Sequence, residues 1–169
     1  MNPAVLTLSL GLLASAGAFA QNAPKPLGSF DAWDAFVHVD RGHKTCYIAS
    51  SPVSMDPKSL KRADVYVMVA HRMGTKVEGE VSLFAGYPFK KDSKVGMRVQ
   101  GKDFELFTHG DSAWAKDTAG DKTIIAGMRA GKDMQIVGRT AKDVTTIDTY
   151  SLVGFAAALG AINKECLGK

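Results

Sequence analysis

The chain has 169 residues, 22% charged and 46% hydrophobic, with a formal net charge of +4 and two cysteines. A chain this long removes about two-thirds of its unfolded surface from water, so two cysteines do not mark a mini-protein that uses bridges in place of a core. Eight Phe, four Tyr and two Trp argue against disorder, and a net charge of +4 is too modest to decide the kind of partner.

Residues 1–20 read as a separate object. From Val5 to Ala20 the chain is apolar or small and uncharged, and it ends Ala18-Phe19-Ala20 before the polar Gln21 and Asn22. An apolar run closing on small-x-small is a secretory signal with cleavage after Ala20. Met1-Asn2-Pro3 carries no Lys or Arg, which departs from the usual pattern. The mature chain then begins at Gln21 and carries the whole net charge. No later segment reaches the roughly 20 apolar residues of a membrane span, so no transmembrane anchor is expected in it. Export changes the reading of Cys46 and Cys166: in an oxidising compartment a pair is normally bridged, here across about 120 residues. The alternative is two separate buried thiols.

Residues 21–28 hold two prolines and no periodicity, which suggests an extended lead-in to a single domain over 29–169. Residues 33–39 and 45–49 are aromatic and β-branched runs joined by the turn signal Asp40-Arg41-Gly42-His43. The stretch 50–61, with two prolines and four serines, reads as a loop. Residues 64–71 are apolar on both alternating faces, Val65, Val67 and Val69 against Tyr66, Met68 and Ala70. That pattern fits a strand covered on both sides. Met73-Gly74-Thr75-Lys76 turns the chain into 77–85. Residues 94–100 alternate cleanly, with Val95, Met97 and Val99 on one face, and Gly101-Lys102 turns them into 103–108. Residues 121–130 read as a short helix capped by Asp121 and stopped by Gly131. Strands follow at 133–138 and 144–150. Ser151 then offers an N-cap to a last helix near 152–165, whose Leu152, Phe155, Ala156, Leu159, Ile162 and Cys166 share one face. Short strands at this spacing suggest a mainly β, antiparallel sandwich or barrel. A Cys46–Cys166 bridge would tie the final helix to an early strand.

An ordered set of segments resembles the invasion-associated locus B family, small exported bacterial proteins. The set is Phe30-Asp31-Ala32-Trp33, Lys44-Thr45-Cys46-Tyr47-Ile48, Gly86-Tyr87-Pro88-Phe89, Ala113-Trp114-Ala115, Met128-Arg129-Ala130-Gly131, and Asp148 through Phe155 with the closing Cys166. The resemblance covers essentially the whole mature chain. It implies an immunoglobulin-like β-sandwich and a periplasmic or envelope location, and it brings no catalytic residue set. Some family members carry further cysteines where this chain has Val37-His38-Val39, so no additional bridge is implied here.

Motifs that carry chemistry are mostly absent from the sequence. His38, His43, His71 and His109 show no HxH, HxxxH or HExxH spacing, and there is no GxSxG elbow, EF-hand or GxGxxG. Gly120-Asp121-Lys122-Thr123 places an acid where a phosphate loop has none. His109-Gly110-Asp111-Ser112 gathers triad residue types within one loop, whereas working triads assemble from separated elements. No cofactor, metal or catalytic residue is therefore expected. The candidate interaction surface is basic and aromatic: Lys90, Lys91, Lys94, Arg98 and Lys102, preceded by Tyr87 and Phe89, with Trp114 as a further anchor. Its partner would be an envelope or host protein, or an anionic envelope component; export disfavours nucleic acid. The competing account is a solvated hairpin whose lysines blunt an exposed edge. For Trp114 the competing expectation is a core position, as for Trp33. The leading functional expectation is a non-enzymatic envelope protein with a binding or accessory role. The alternatives are a periplasmic carrier of a small ligand or lipid, which needs an apolar cavity under the last helix, and a hydrolase.

Overall fold

The computed structural model describes residues 23–169. The expected signal segment lies outside the described residues. Eleven strands follow one another: β1 (Lys25–Phe30), β2 (Trp33–Asp40), β3 (His43–Ser50), β4 (Ser54–Asp56), β5 (Tyr66–Arg72), β6 (Val77–Phe84), β7 (Lys94–Val99), β8 (Lys102–His109), β9 (Ser112–Trp114), β10 (Asp133–Arg139) and β11 (Thr145–Ser151). Helix α1 (Thr118–Ala130) separates β9 from β10, and α2 (Phe155–Leu167) ends the fold. The mainly β, antiparallel class with two helices is as expected from the sequence. The hydrogen-bonded ladder is one unbroken sheet in the order β1-β2-β3-β5-β6-β9-β8-β7-β10-β11-β4.

The alternating strands bury one face. Trp33, Ala35, Cys46, Ile48, Val67, Val69, Val81 and Leu83 from one end of the sheet share a single core with Val95, Met97, Leu106, Met134, Ile136 and both helices. Hairpins β2–β3 and β7–β8 turn on Arg41-Gly42 and Gln100-Gly101, each pair with positive φ at both positions. That is the two-residue turn whose twist matches the strands it joins.

Several boundaries depart from the sequence reading, each for a local reason. Residues 25–28 are strand β1 rather than a lead-in, because β2 offers them an edge to pair with. The 50–61 loop contains β4, whose Ser54–Asp56 pair with Thr149, Asp148 and Ile147 of β11. Helix α1 starts at Thr118. Its cap is Asp117, which accepts from the Gly120 amide at 2.8 Å. Asp121 has another task. Strand β9 pairs with β6 only over Ser82–Phe84, and the Asp121 carboxylate accepts the Val81 amide at 2.9 Å just past that contact.

Helix α2 starts at Phe155, three residues later than the helical spacing suggests. Ser151 is not its cap; the Ser151 hydroxyl accepts from the Val153 amide. Gly154 stands at the N-cap with φ 87°, and a Cβ there would overlap the Phe30 carbonyl oxygen. Only glycine lets α2 begin this close to the β1–β2 turn. Leu152 is buried ahead of the helix, and Ala156 is exposed. The apolar face of α2 is Phe155, Ala158, Leu159 and Ile162. Trp33 is fully buried, as expected, with its ring edge-on to Phe155 at 5.0 Å and its indole N–H donating to the Ser151 carbonyl at 3.0 Å. Cys46 and Cys166 are disulfide-bonded, with Cα atoms 6.1 Å apart. The last turn of α2 is thereby tied to the middle of β3.

Candidate binding face

Strand alternation that buries Trp33, Ile48, Val67 and Leu83 turns the intervening residues outward. The register aligns them: Asp34 faces Ala49, Ala49 faces Met68, Met68 faces Ser82, Ser82 faces Trp114, and Trp114 faces Phe107. Three stacked aromatic pairs stand on this outward face. Phe36 and Tyr47 stack at 5.2 Å, Tyr66 and Phe84 at 4.4 Å, and Phe107 and Trp114 at 5.7 Å. Ala49 and Met68 lie between the first two pairs. The small and flexible side chains there leave a concavity of about 690 Å³, bordered by Phe36, Tyr47 and Tyr66 and by the carboxylates of Asp31, Asp34 and Asp64.

Strand β5 is the departure that matters most. Its sequence is apolar on both faces, as in a strand covered twice; Val67 and Val69 enter the core, and Ala70 at the far end of the outward face is also buried. Tyr66 and Met68 are half-buried and line the concavity. No element among the described residues covers them. Partial burial raises the Tyr47 phenol, and it raises the Tyr66 phenol with a further contribution from the neighbouring Asp64. Both tyrosines therefore stay neutral hydroxyl groups at the edge of the site.

The surface expected from the sequence is placed differently. Tyr87 and Phe89 are core residues, each 7% exposed, with rings edge-on at 5.2 Å. The Gly86–Phe89 segment crosses inward, and the Tyr87 hydroxyl shares a 2.6 Å hydrogen bond with Thr146. They are not surface anchors. The cations of 90–102 are mostly matched by acids. Lys90 pairs with Asp143 at 2.8 Å, Lys94 pairs with Glu105, and Arg98 grips Asp103 through Nε at 2.6 Å and Nη2 at 3.0 Å. Lys91 and Lys102 are exposed. Cross-strand pairing thus cancels locally the positive field that the sequence suggested. Trp114 is half-buried rather than core, and it is the one expected anchor that lies among the outward aromatics.

The triad-like loop does not assemble. The Ser112 hydroxyl lies 3.0 Å from Asp111, its immediate neighbour, so the serine has a carboxylate rather than an imidazole as its partner. His109 borders a second concavity, of about 520 Å³, together with Glu80, Asp117 and Asp121. Those carboxylates are already engaged: Glu80 with Arg72, Asp117 with the helix cap and Asp121 with Val81. His71 is buried under α2. The Gly79 amide donates to its Nδ1 at 3.0 Å, which puts the ring proton on Nε2, facing Asn163 Oδ1 at 2.8 Å. Burial lowers its pKa. Among the described residues no group of three His, Cys, Asp or Glu could hold a metal ion. Between the sheet and α2, where a carrier would need a cavity, Trp33, Phe155, Ala158 and Ile162 are fully buried.

One buried cluster escaped the sequence reading. Arg62 Nη1 donates to both oxygens of Asp148 at 2.8 and 2.7 Å, with both side chains 3% exposed, and its guanidinium lies 5.0 Å from the Tyr87 ring centre. This pair locks the 50–65 crossing onto β11. Arg62 sits in a polar loop sequence and Asp148 on an alternating strand, so only their meeting across 86 positions reveals the role.

The family model described as Invasion associated locus B (IalB) protein matches residues 33–163. No curated protein and no solved structure matches the chain. The matched span contains β2 through most of α2, and with them Asp34, Phe36, Tyr47, Asp64, Tyr66 and Met68 of the concave face.

Proposed function

The chain belongs to the invasion-associated locus B family, and from that premise we propose that it is a non-enzymatic, exported envelope protein with a binding or accessory role, working through the outward aromatic face of β2, β3 and β5. The observation that carries this reading is β5, a strand with the composition of a doubly covered one, whose outward Tyr66 and Met68 stay half-buried along the concavity while Ala70 on the same face is buried. Apolar and aromatic side chains left in a concavity are a usual mark of a binding surface. No helix among the described residues is long and apolar enough to cross a membrane. The periplasm or cell envelope is the compartment in which the partner is sought.

The test is site-specific photo-crosslinking in cells, with p-benzoylphenylalanine replacing Phe36 or Tyr66 in one set and Lys142, on the far hairpin, in another. Discrete adducts at Phe36 and Tyr66, absent at Lys142 and competed by unlabelled mature protein, are the expected result. Identical adduct patterns at all three positions would overturn the assignment of the face.

A further inference from the structure

We propose that the concavity between the Phe36–Tyr47 and Tyr66–Phe84 pairs receives a cationic side chain, an arginine on an extended peptide segment of a partner protein. The inference rests on the outward face being the binding surface, and it adds the chemistry of what is bound. Asp31, Asp34 and Asp64 all border the concavity, and no Lys, Arg or His does. The ion pairs of the described residues use none of these three carboxylates, whereas the acids facing Lys90, Lys94 and Arg98 are all occupied. A local charge of −3 on a chain of net +4 is a reversal of sign at one place. It repels an anionic envelope component of the kind expected for the basic 90–102 stretch, and it favours a cation.

The walls suit the rest of the side chain. An arginine stem is apolar and packs on Met68 and Ala49, while its planar guanidinium can stack on an aromatic ring and donate in two directions to carboxylates. A volume of about 690 Å³ is ample for one such side chain with its flanking backbone. The backbone of one of the acids is also held in place. Asp31 forms the β1–β2 turn with φ 51°, and the neighbouring Ala32 amide donates to Val153 at 3.3 Å, with Gly154 packed against Phe30. The start of α2 therefore fixes the backbone from which one carboxylate projects, which leaves only its side chain to order on binding.

The test titrates ¹⁵N-labelled mature protein with tri-arginine amide. Tri-citrulline amide serves as the neutral isostere, tri-glutamate as the anion and chitotriose as a neutral glycan. Tri-arginine is expected to shift the amides of Asp34, Ala49, Tyr66 and Met68, with citrulline and glutamate far weaker. The double variant Asp34→Asn/Asp64→Asn should keep its melting temperature and bind tri-arginine roughly five- to twentyfold more weakly, since each exposed ion pair contributes up to about fivefold. Equal shifts with citrulline, unchanged affinity in the double variant, or tri-arginine shifts confined to other surfaces would each overturn the proposal. Chitotriose binding at the same amides, indifferent to the two Asn substitutions, would also overturn it while leaving the aromatic face as a binding surface. If the double variant melts early, Asp64→Asn alone is titrated, with the same criteria.

Discussion

Replacing Cys46 and Cys166 together by alanine removes the bridge without leaving a lone thiol or a buried hydroxyl. The bridge closes a sequence separation of 120 residues. In the chain-entropy account, a loop of that length costs the unfolded state about 16 cal/mol/K, or about 5 kcal/mol at 25 °C. For a domain near 150 residues, each kcal/mol moves the melting temperature by roughly 2–4 °C, so a fall of roughly 10–20 °C is expected. Cys46 is fully buried and α2 keeps Phe155, Leu159 and Ile162 in the core, so the native contacts of the helix largely survive the substitution. The assay is scanning calorimetry on oxidised wild type, reduced wild type and the double variant, with amide hydrogen exchange along α2. Both the reduced protein and the variant should melt early, and the final turn of α2 should exchange faster than its first turns. A melting temperature within about 2 °C of wild type, with unchanged protection, would refute the reasoning. The apolar face alone would then hold the terminus, and the unfolded chain would gain little freedom from losing the link.

Arg62→Met should cost about 3–5 kcal/mol by chemical denaturation, because it strands the Asp148 carboxylate in the core; the double variant Arg62→Met/Asp148→Leu should recover most of that loss. Equal losses in the single and double variants would show that the pair is not the cause. His71 is held neutral in the folded state by burial, with Nδ1 accepting the Gly79 amide. Since its folded pKa lies below the unfolded value of about 6.5, the unfolded chain binds the extra proton first. Stability is then full above that pH and falls as the pH drops below it, towards the folded pKa. A His71→Gln variant should lose this slope near pH 6, and a wild-type slope retained in the variant would count against His71. Gly154→Ala should cost roughly 1–3 kcal/mol in thermal melts, from positive φ and the contact with Phe30, and a neutral result would mean that α2 can start elsewhere.

Legibility varied with the range of the interaction that decided each feature. The alternation of Val95, Met97 and Val99 and the spacing of Phe155, Leu159 and Ile162 are local patterns, and the core faces they predict are the ones observed. Asp121 misled because acceptor chemistry at a helix start looks the same whether the carboxylate caps the helix or serves a neighbouring strand. Tyr87, Phe89 and the nearby lysines looked like one surface because they are close in sequence. A single crossing buried the rings and left the charges to pair with acids on adjacent strands.

From the chain alone came the β class, both helices, the family resemblance and the expectation that the two cysteines pair. The elements rest on periodicity and turn chemistry, which act over a few residues, and the resemblance rests on an ordered set of segments along the chain. The tertiary structure decided that Tyr66 and Met68 of β5 stay partly open, which acid completes a broken ladder, and where Arg62 finds Asp148. It also placed three carboxylates from 31, 34 and 64 around one aromatic concavity, a site of sign opposite to the chain as a whole. Register between strands brings such groups together, and register depends on contacts far apart in the sequence.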